Sequence, residues 1–247
     1  MCNQIKNYGM NKSDECIICG APLEYLDNPM EMECAICHRK FTNNVRCEQG
    51  HYVCDECHTT GIDSIISICN KESSSNPIDI IEKMMSLPTC HMHGPEHHIM
   101  VGASLITAYK NAGGNVDFEW ALTEIIRRGK QVPGGACGNW GACGAGISTG
   151  MFVSIITKSN PLAQEAWGLS NLMTSFALAK IAETGGPRCC KRDSYKAILA
   201  AIDFVKEKFG ITMQRPIQVF CSRSSMNNQC LKSKCPFNRP VFTVPTL

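Results

Sequence analysis

The chain has 247 residues, of which 44% are hydrophobic and 19% are charged. This composition supplies enough apolar side chains for a buried core and excludes disordered and fibrous proteins. The formal charge is only +2 at pH 7, so the overall balance gives no sign of a nucleic-acid-binding surface. Cysteine is the unusual residue type: the chain contains 17 of them, and this number directs attention to metal sites.

The cysteines occur as C-x-x-C pairs and beside histidines, and their number is odd. This pattern is typical of metal ligation in a reducing compartment rather than of a disulfide framework. The first 16 residues are polar and do not resemble a secretory signal. The uncharged stretch 131–157 contains a proline and seven glycines, which favours a buried segment over a membrane span. We therefore expect a cytoplasmic protein without a membrane-spanning segment.

The sequence predicts a mainly α protein in two parts: a double zinc-binding module over residues 1–70 and an α-helical body over residues 71–247 that ends in a cysteine-rich tail. The first part has little apolar periodicity, so its core is too small to fold without an additional cross-link such as a bound metal ion. Cap, proline and glycine signals predict the helices of the body. They are expected at 78–87, 96–112 and 117–128, then up to 158, from 161 to the glycines at 185, and at 194–209, before a short β-like run at 216–220.

Four pairs of metal ligands lie in the N-terminal module. The two thiolates of a C-x-x-C pair can reach one ion at about 2.3 Å, and closed sites of four Cys and His ligands are typical of structural zinc. The eight ligands suffice for two zinc ions. The pairs are Cys16 with Cys19, Cys34 with Cys37, Cys47 with His51, and Cys54 with Cys57.

The segment from Cys47 to Cys57 resembles the central part of a RING-like or treble-clef zinc module. In RING-type fingers the pairs interleave, so that the first and third pairs share one ion and the second and fourth share the other. The order of the pairs here departs from that family, and sequential pairing is the alternative, as in a zinc-ribbon-like module. The resemblance implies one site of Cys16, Cys19, Cys47 and His51, and another of Cys34, Cys37, Cys54 and Cys57.

A cysteine and four histidines lie within segment 90–98, where a loop leads into a predicted helix. His93 and His97 are four residues apart, and Glu96 between them is a candidate base or partner of a metal ligand. We predict catalytic, acid–base roles for these three residues. The alternative is a polar helix start at which the imidazoles only cap the helix.

Cys137 and Cys143 lie in the glycine-rich loop 133–144. Glycines allow backbone N–H groups to converge on an anion, and the following helix adds the positive end of its dipole. The loop matches neither the P-loop nor the dinucleotide-binding fingerprint. We predict that the two cysteines are reactive thiols or alternative cluster ligands.

Cys189 and Cys190 are adjacent and have cationic neighbours, which are expected to lower the pKa of both thiols. Three further cysteines follow in the tail, and the last precedes a proline, as in ferredoxin-type clusters. We predict an iron–sulfur cluster, most simply 4Fe–4S. Its expected ligands are Cys189 or Cys190 together with Cys221, Cys230 and Cys235.

Four segments together resemble an uncharacterised family of cysteine-rich domains from methanogens and anaerobic bacteria, sometimes fused to S-adenosylmethionine methyltransferases. The resemblance extends over nearly the whole chain. It implies anaerobic metabolism and a methyl- or sulfur-linked pathway, and it brings no established activity. The segments are HMHGPEHH, GGACGNWGACGAG, GPRCCKRDSY and CSRSSMNNQCLKSKCPF.

Two functions remain open on the sequence alone. The first is an iron–sulfur-dependent enzyme, a lyase, a desulfidase or a transferase linked to sulfur or methyl groups, with a small-molecule substrate and structural zinc. The second is a non-enzymatic zinc-binding adaptor or redox or metal sensor that works with a methyltransferase-type partner protein. Nucleic acid is not expected as a partner because acidic residues outnumber basic ones in 14–60. A homo-oligomer is left open.

Overall fold

The computed structural model describes residues 16, 21–35, 37–58, 61–87 and 89–238. The chain divides into two compact units. The first ends at Cys54 and includes Asn227–Gln229, and the second contains the rest. We expected a boundary near residue 70, whereas residues 55–70 belong to the second unit because buried Ile65 and Cys69 are part of its hydrophobic core. No helix in the described ranges is long and apolar enough to cross a membrane.

The first unit contains an antiparallel hairpin of β1 (Leu23–Glu33) and β2 (Lys40–Cys47). Only Met32 and Cys47 are buried among the residues of these two strands. A two-stranded hairpin with so little apolar burial is marginal in water. The small core agrees with the expectation that this unit needs an additional cross-link.

The second unit is built from helices, and the prediction of a mainly α body is confirmed. A 3-10 turn at Lys232–Lys234 lies in the tail. The described helices are α1 (Asp55–His58), α2 (Ile62–Lys71), α3 (Pro77–Met85), α4 (Glu96–Asn111), α5 (Phe118–Gly129), α6 (Ala136–Asn139), α7 (Gly144–Ile156), α8 (Glu165–Ala182) and α9 (Cys190–Phe209).

Local capping signals explain several helix ends. The side chain of Asn76 accepts a hydrogen bond from the N–H of Ile78 at 3.1 Å and caps α3. The carboxylate of Asp117 accepts from the N–H of Trp120 at 3.2 Å and caps α5. Gly210 ends α9 with φ 69, a left-handed conformation that favours glycine.

Three elements differ from the sequence-based expectation. Helix α8 begins at Glu165 rather than near residue 161, because Asn160 accepts a hydrogen bond from the N–H of Leu162 and forms a local turn instead. Helix α9 begins at Cys190, four residues early, so the second thiol of the adjacent pair is helical. Residues 216–220 form no strand in the part of the chain described.

Helix α4 is the central element of the second unit, with every residue from Glu96 to Tyr109 buried. Helices α5 and α7 approach it closely at Gly102. A Cβ at this glycine would lie 2.3 Å from Cδ1 of Ile125, and its N–H donates to the hydroxyl of Ser148 at 2.9 Å. The glycine therefore allows three helices to meet in the second turn of α4, next to the first turn, where the candidate site lies.

The contact between α7 and α8 gives a first prediction. A Cβ at Gly150 would lie 1.8 Å from Oγ1 of Thr174 and 2.9 Å from the carbonyl oxygen of Ser170. We expect Gly150→Ala to lower the free energy of unfolding by about 1–3 kcal/mol, as overpacking does. Chemical denaturation monitored by circular dichroism measures this change.

Gly168→Ala is the matched control, because no heavy atom lies within 4 Å of a Cβ at this position of α8. Alanine is a better helix former than glycine, so the control should gain about 0.5–1 kcal/mol. A Gly150→Ala variant as stable as the wild type would contradict the close approach of the two helices.

Candidate metal centres

The first group of converging ligand atoms consists of Cys34, Cys37, Cys54 and Cys57, whose Sγ atoms all lie within 4.8 Å of one another. The first two follow β1, whereas Cys54 directly precedes α1 and Cys57 lies within it. The Sγ atoms of Cys37 and Cys54 are 3.7 Å apart, and the N–H of Cys54 donates to Sγ of Cys34 at 3.3 Å. Four thiolates in this arrangement are a typical donor set of structural zinc.

The second group consists of Cys16, Cys47 and His51. Sγ of Cys47 lies 3.6 Å from Nδ1 of His51 and accepts a hydrogen bond from the N–H of the same residue at 3.2 Å. Cys19, the fourth predicted ligand, lies outside the described residues. The described ligands follow the interleaved pairing rather than the sequential one, because Cys16 of the first pair meets the third pair and the second pair meets the fourth.

A third group lies in the helical unit and consists of Cys90, Glu96 and His97. Cys90 precedes α4, and the other two residues form its first turn. Glu96 and His97 are 3% and 1% exposed. Nδ1 of His97 lies 3.0 Å from the carbonyl oxygen of Gly94, to which it must donate, so Nε2 is the acceptor. This Nε2 atom lies 3.8 Å from Sγ of Cys90.

In the described part of the chain, only one oxygen atom of the Glu96 carboxylate accepts a hydrogen bond. Its Oε1 atom accepts from the N–H of His91 at 2.9 Å, whereas its buried Oε2 atom has no hydrogen-bond partner among the described residues. Burial by itself would raise the pKa of Glu96, but the hydrogen bond with His91 outweighs it, and the pKa is lowered to about 2. A buried anionic oxygen without a donor is costly, and a bound cation would compensate it.

Lys191, in the first turn of α9, contacts the third ligand group. Its Nζ atom donates to the carbonyl oxygen of His91 at 2.7 Å, to Nε2 of His97 at 2.9 Å and to Sγ of Cys90 at 3.0 Å. The side chain is almost fully buried, with 1% of the residue exposed. Because an ammonium group has three N–H donors, all of them are used here.

The remaining histidines of the segment have different surroundings. His93 is half-buried and is not one of the three ligands of this group. Nδ1 of His98 lies 3.1 Å from the carbonyl oxygen of Val132, and burial lowers the pKa of this imidazole. A Cβ at Gly144 would lie 2.2 Å from the His98 ring. His98 therefore has a packing role, while the acid–base role of His93 stays a prediction.

A small cavity adjoins the third group, with a volume of about 250 Å³ when its open mouth is included. Its polar lining comes from Cys90, Glu96 and Thr89. A cavity of this size suits water or a ligand of few atoms rather than a large cofactor. The apolar wall consists of Ile62, Ile65, Met84, Leu87, Ile99 and Met100.

The thiols near the start of α9 are half-buried around Asp193. Oδ2 of this residue accepts from the N–H of Cys189 at 3.3 Å and lies 4.0 Å from Sγ of Cys143. Burial raises the pKa of Cys143 to about 12 and also raises the pKa values of Cys189 and Cys190. We expected cationic neighbours to lower the pKa of the adjacent pair, but the arginines offset only part of the effect of burial. A neutral thiol is a poor nucleophile.

The tail cysteines are half-buried. Burial raises the pKa of Cys221, and a negative charge at Cys235 raises it further. A charge at Cys221 in turn raises the pKa of Cys189, so these three thiols are neighbours. Sγ of Cys230 accepts from the N–H of Lys232 at 3.3 Å. None of the three ligand groups in the described residues includes these cysteines, and their iron–sulfur ligation stays a prediction, as does the role of Cys137.

The chain was compared with known protein families. A model of a family of unknown function (DUF5714) matches residues 65–238, well over half of the chain. The chain belongs to the DUF5714 family. The predicted resemblance to an uncharacterised family is thereby confirmed. No curated protein matches the chain, and no solved structure matches it. The DUF5714 match contains the third ligand group and Lys191, and it begins after the last N-terminal ligand.

Two residues of this site were not predicted from the sequence: Cys90, a ligand of the third group, and Lys191 beside it. Cys90 lies seven residues before His97, inside the histidine-rich segment, and this proximity was the one signal that could have identified it. Lys191 is 101 residues away from Cys90. No local spacing connects it with the site, and the sequence analysis considered it only as a cationic neighbour of the adjacent cysteines.

Proposed function

We propose that this protein is a metalloenzyme whose centre is a single transition-metal ion in the helical unit, bound by Cys90, Glu96 and His97. The observation that supports it best is the convergence of three different ligand atoms next to the buried Oε2 atom that lacks a donor. Three protein ligands leave a coordination position for water or substrate, as in catalytic zinc sites. A mixed sulfur, nitrogen and oxygen donor set suits zinc or another divalent first-row ion.

The residues around such a centre would have separate roles. The contact with Gly94 fixes the ring of His97, as outer partners commonly orient metal ligands. The N–H of His91 holds one oxygen of Glu96 and leaves the other for the ion. The apolar cavity restricts the substrate to a small molecule. A bound ion would supply Lewis acidity there, which fits a lyase or a hydrolase.

The N-terminal unit has a structural role in this proposal. With Cys19 as the predicted fourth ligand of the second group, the first two ligand groups would hold zinc in closed sites, which leave no position for a substrate. We also propose a cytoplasmic location, since the described cysteines form no disulfides and thiol ligands persist in a reducing compartment.

An iron–sulfur enzyme remains a second candidate. It is supported by the proximity of Cys221 to Cys189 and of Cys235 to Cys221, which in each case raises the pKa of the second thiol named. Three thiolates around a 4Fe–4S cluster would leave one iron open to substrate, as in hydro-lyases and desulfidases. The adaptor or sensor that works with a methyltransferase-type partner is the non-enzymatic alternative.

Metal and sulfide analysis of anaerobically purified protein tests these candidates. Cys90→Ala should contain about one metal ion per chain less than the wild type, because a site needs all of its few ligands. Cys69→Ala, in which a cysteine of the helical core with 1% exposure is replaced, is the matched control and should keep the full metal content.

Three other results would contradict the proposal, and two of them would favour one of the alternatives. Equal metal content in Cys90→Ala and the wild type would exclude the third group as a metal site. Iron and sulfide that disappear in Cys221→Ala would favour the cluster enzyme. Zinc confined to the N-terminal unit in a colourless protein would favour the adaptor.

A further inference from the structure

Lys191 binds two of the three atoms that a metal ion at the third group requires. Its Nζ atom lies 2.9 Å from Nε2 of His97 and 3.0 Å from Sγ of Cys90. A neutral imidazole has only one ring nitrogen available as an acceptor, so Nε2 cannot bind the ammonium and a metal ion together. Metal binding therefore removes this hydrogen bond and leaves the Lys191 ammonium beside the ion.

Lys191 stays buried after a metal ion has displaced it from Nε2 of His97. The residue is 1% exposed and lies in the first turn of α9. One of its hydrogen bonds, to the carbonyl oxygen of His91 at 2.7 Å, involves no metal ligand and can hold the ammonium in place. A buried charge that loses hydrogen-bond partners is costly unless another group of opposite charge replaces them.

The charges of the metal-loaded site leave Lys191 without a counterion. A divalent ion is balanced by the thiolate of Cys90 and the carboxylate of Glu96, because each carries one negative charge and His97 is neutral. The ammonium then adds one positive charge in a buried environment. One monovalent anion would restore neutrality.

Arg192 and Arg223 do not change this balance, because each is paired with a carboxylate. Nε of Arg192 donates to Asp193 at 2.9 Å, and Nη1 of Arg223 donates to Glu82 at 2.8 Å. The positive charge that remains belongs to Lys191.

We infer that the metal-loaded centre binds a small monoanion between the open coordination position of the ion and the ammonium of Lys191. The inference rests on the proposed function and names its substrate class: a small molecule with a carboxylate or an equivalent single negative charge. The adjoining cavity, with polar Cys90 and Glu96 in an apolar wall, limits the rest of the molecule to a few atoms.

Cobalt(II)-loaded full-length protein provides the test, because its visible spectrum changes when an exogenous ligand enters the coordination sphere. Acetate and its neutral analogue acetamide are titrated into the wild type, and azide repeats the titration with a narrower monoanion. The spectrum of cobalt-loaded Cys90→Ala, titrated in the same way, is subtracted to remove the contribution of the N-terminal sites.

Acetate or azide should shift the difference spectrum of the wild type with saturation, and acetamide should not. In Lys191→Met the dissociation constant of the anion should rise at least tenfold. The same variant should bind cobalt more tightly than the wild type, because the competing ammonium is gone. Lys191→Gln repeats the measurement with a second uncharged side chain if the methionine variant does not fold.

The outcomes separate this inference from the proposed function. Identical cobalt spectra of the wild type and Cys90→Ala would remove the metal site, and with it both proposals. A clear difference spectrum that neither anion shifts, or an anion affinity that is unchanged without Lys191, would overturn the anion site and leave the metal site standing.

Discussion

Removal of zinc from the first two ligand groups is expected to unfold the first unit and to leave the helical unit folded. The β1–β2 hairpin buries only Met32 and Cys47 among its own residues, so apolar burial cannot hold it together. Structural zinc in comparable small domains contributes an apparent folding free energy of about 10–16 kcal/mol at pH 7. The helical unit has a core of its own around α4, which does not depend on these ligands.

Hydrogen exchange before and after treatment with a strong zinc chelator measures this effect. Protection of the amides of Lys40–Cys47 should disappear, while the amides of Glu96–Asn111 stay protected. Cys54→Ala, which removes a ligand with 1% exposure, should have the same effect without a chelator, and Cys69→Ala should keep the hairpin protected. A hairpin that remains protected without zinc would mean that other contacts stabilise it.

The features that local chemistry determines could be predicted from the sequence. The end of a helix depends on a few adjacent residues, so the caps at Asn76 and Asp117 and the glycine at 210 located three helix ends within about two residues. The four N-terminal ligand pairs could be predicted for the same reason, since the two members of each pair are only three or four residues apart in the sequence.

The grouping of those pairs is a property of the folded chain. Spacing alone allowed both the interleaved and the sequential arrangement. The hairpin decides between them, because β1 leads to Cys34 and β2 ends at Cys47, and pairing of the two strands separates the first ligand group from the second.

The pKa values of the thiols and the role of Lys191 also depend on tertiary structure. The charges beside Cys190 were visible in the sequence, but the partial burial of its thiol was not, and burial has the larger effect on its pKa. Helix α9 begins at this residue, and its first turn enters the interior. The same insertion brings Lys191 to Cys90, a contact across 101 positions of the chain.

The variant Asp193→Ala is expected to lose about 3–5 kcal/mol of stability, the usual cost of breaking a buried ion pair by removing one partner. Its carboxylate accepts from Nε of Arg192 at 2.9 Å, and the two side chains are 5% and 3% exposed. The guanidinium keeps its hydrogen bonds to the carbonyl oxygens of Gly185 and Pro187. Its charge, however, has no other carboxylate in contact among the described residues.

Asp203→Ala is the matched control, because it removes another aspartate of α9 from an ion pair, with Arg215 at 3.0 Å. Both partners of that pair are about half exposed, so the expected loss is only about 0–1 kcal/mol. Urea denaturation compares the two variants. Adding Arg192→Met to Asp193→Ala should restore part of the lost stability, since it removes the unpaired charge that causes the loss. If both aspartate variants lose equally little, the first turn of α9 must be open to water and Lys191 would not be buried beside the ligand group.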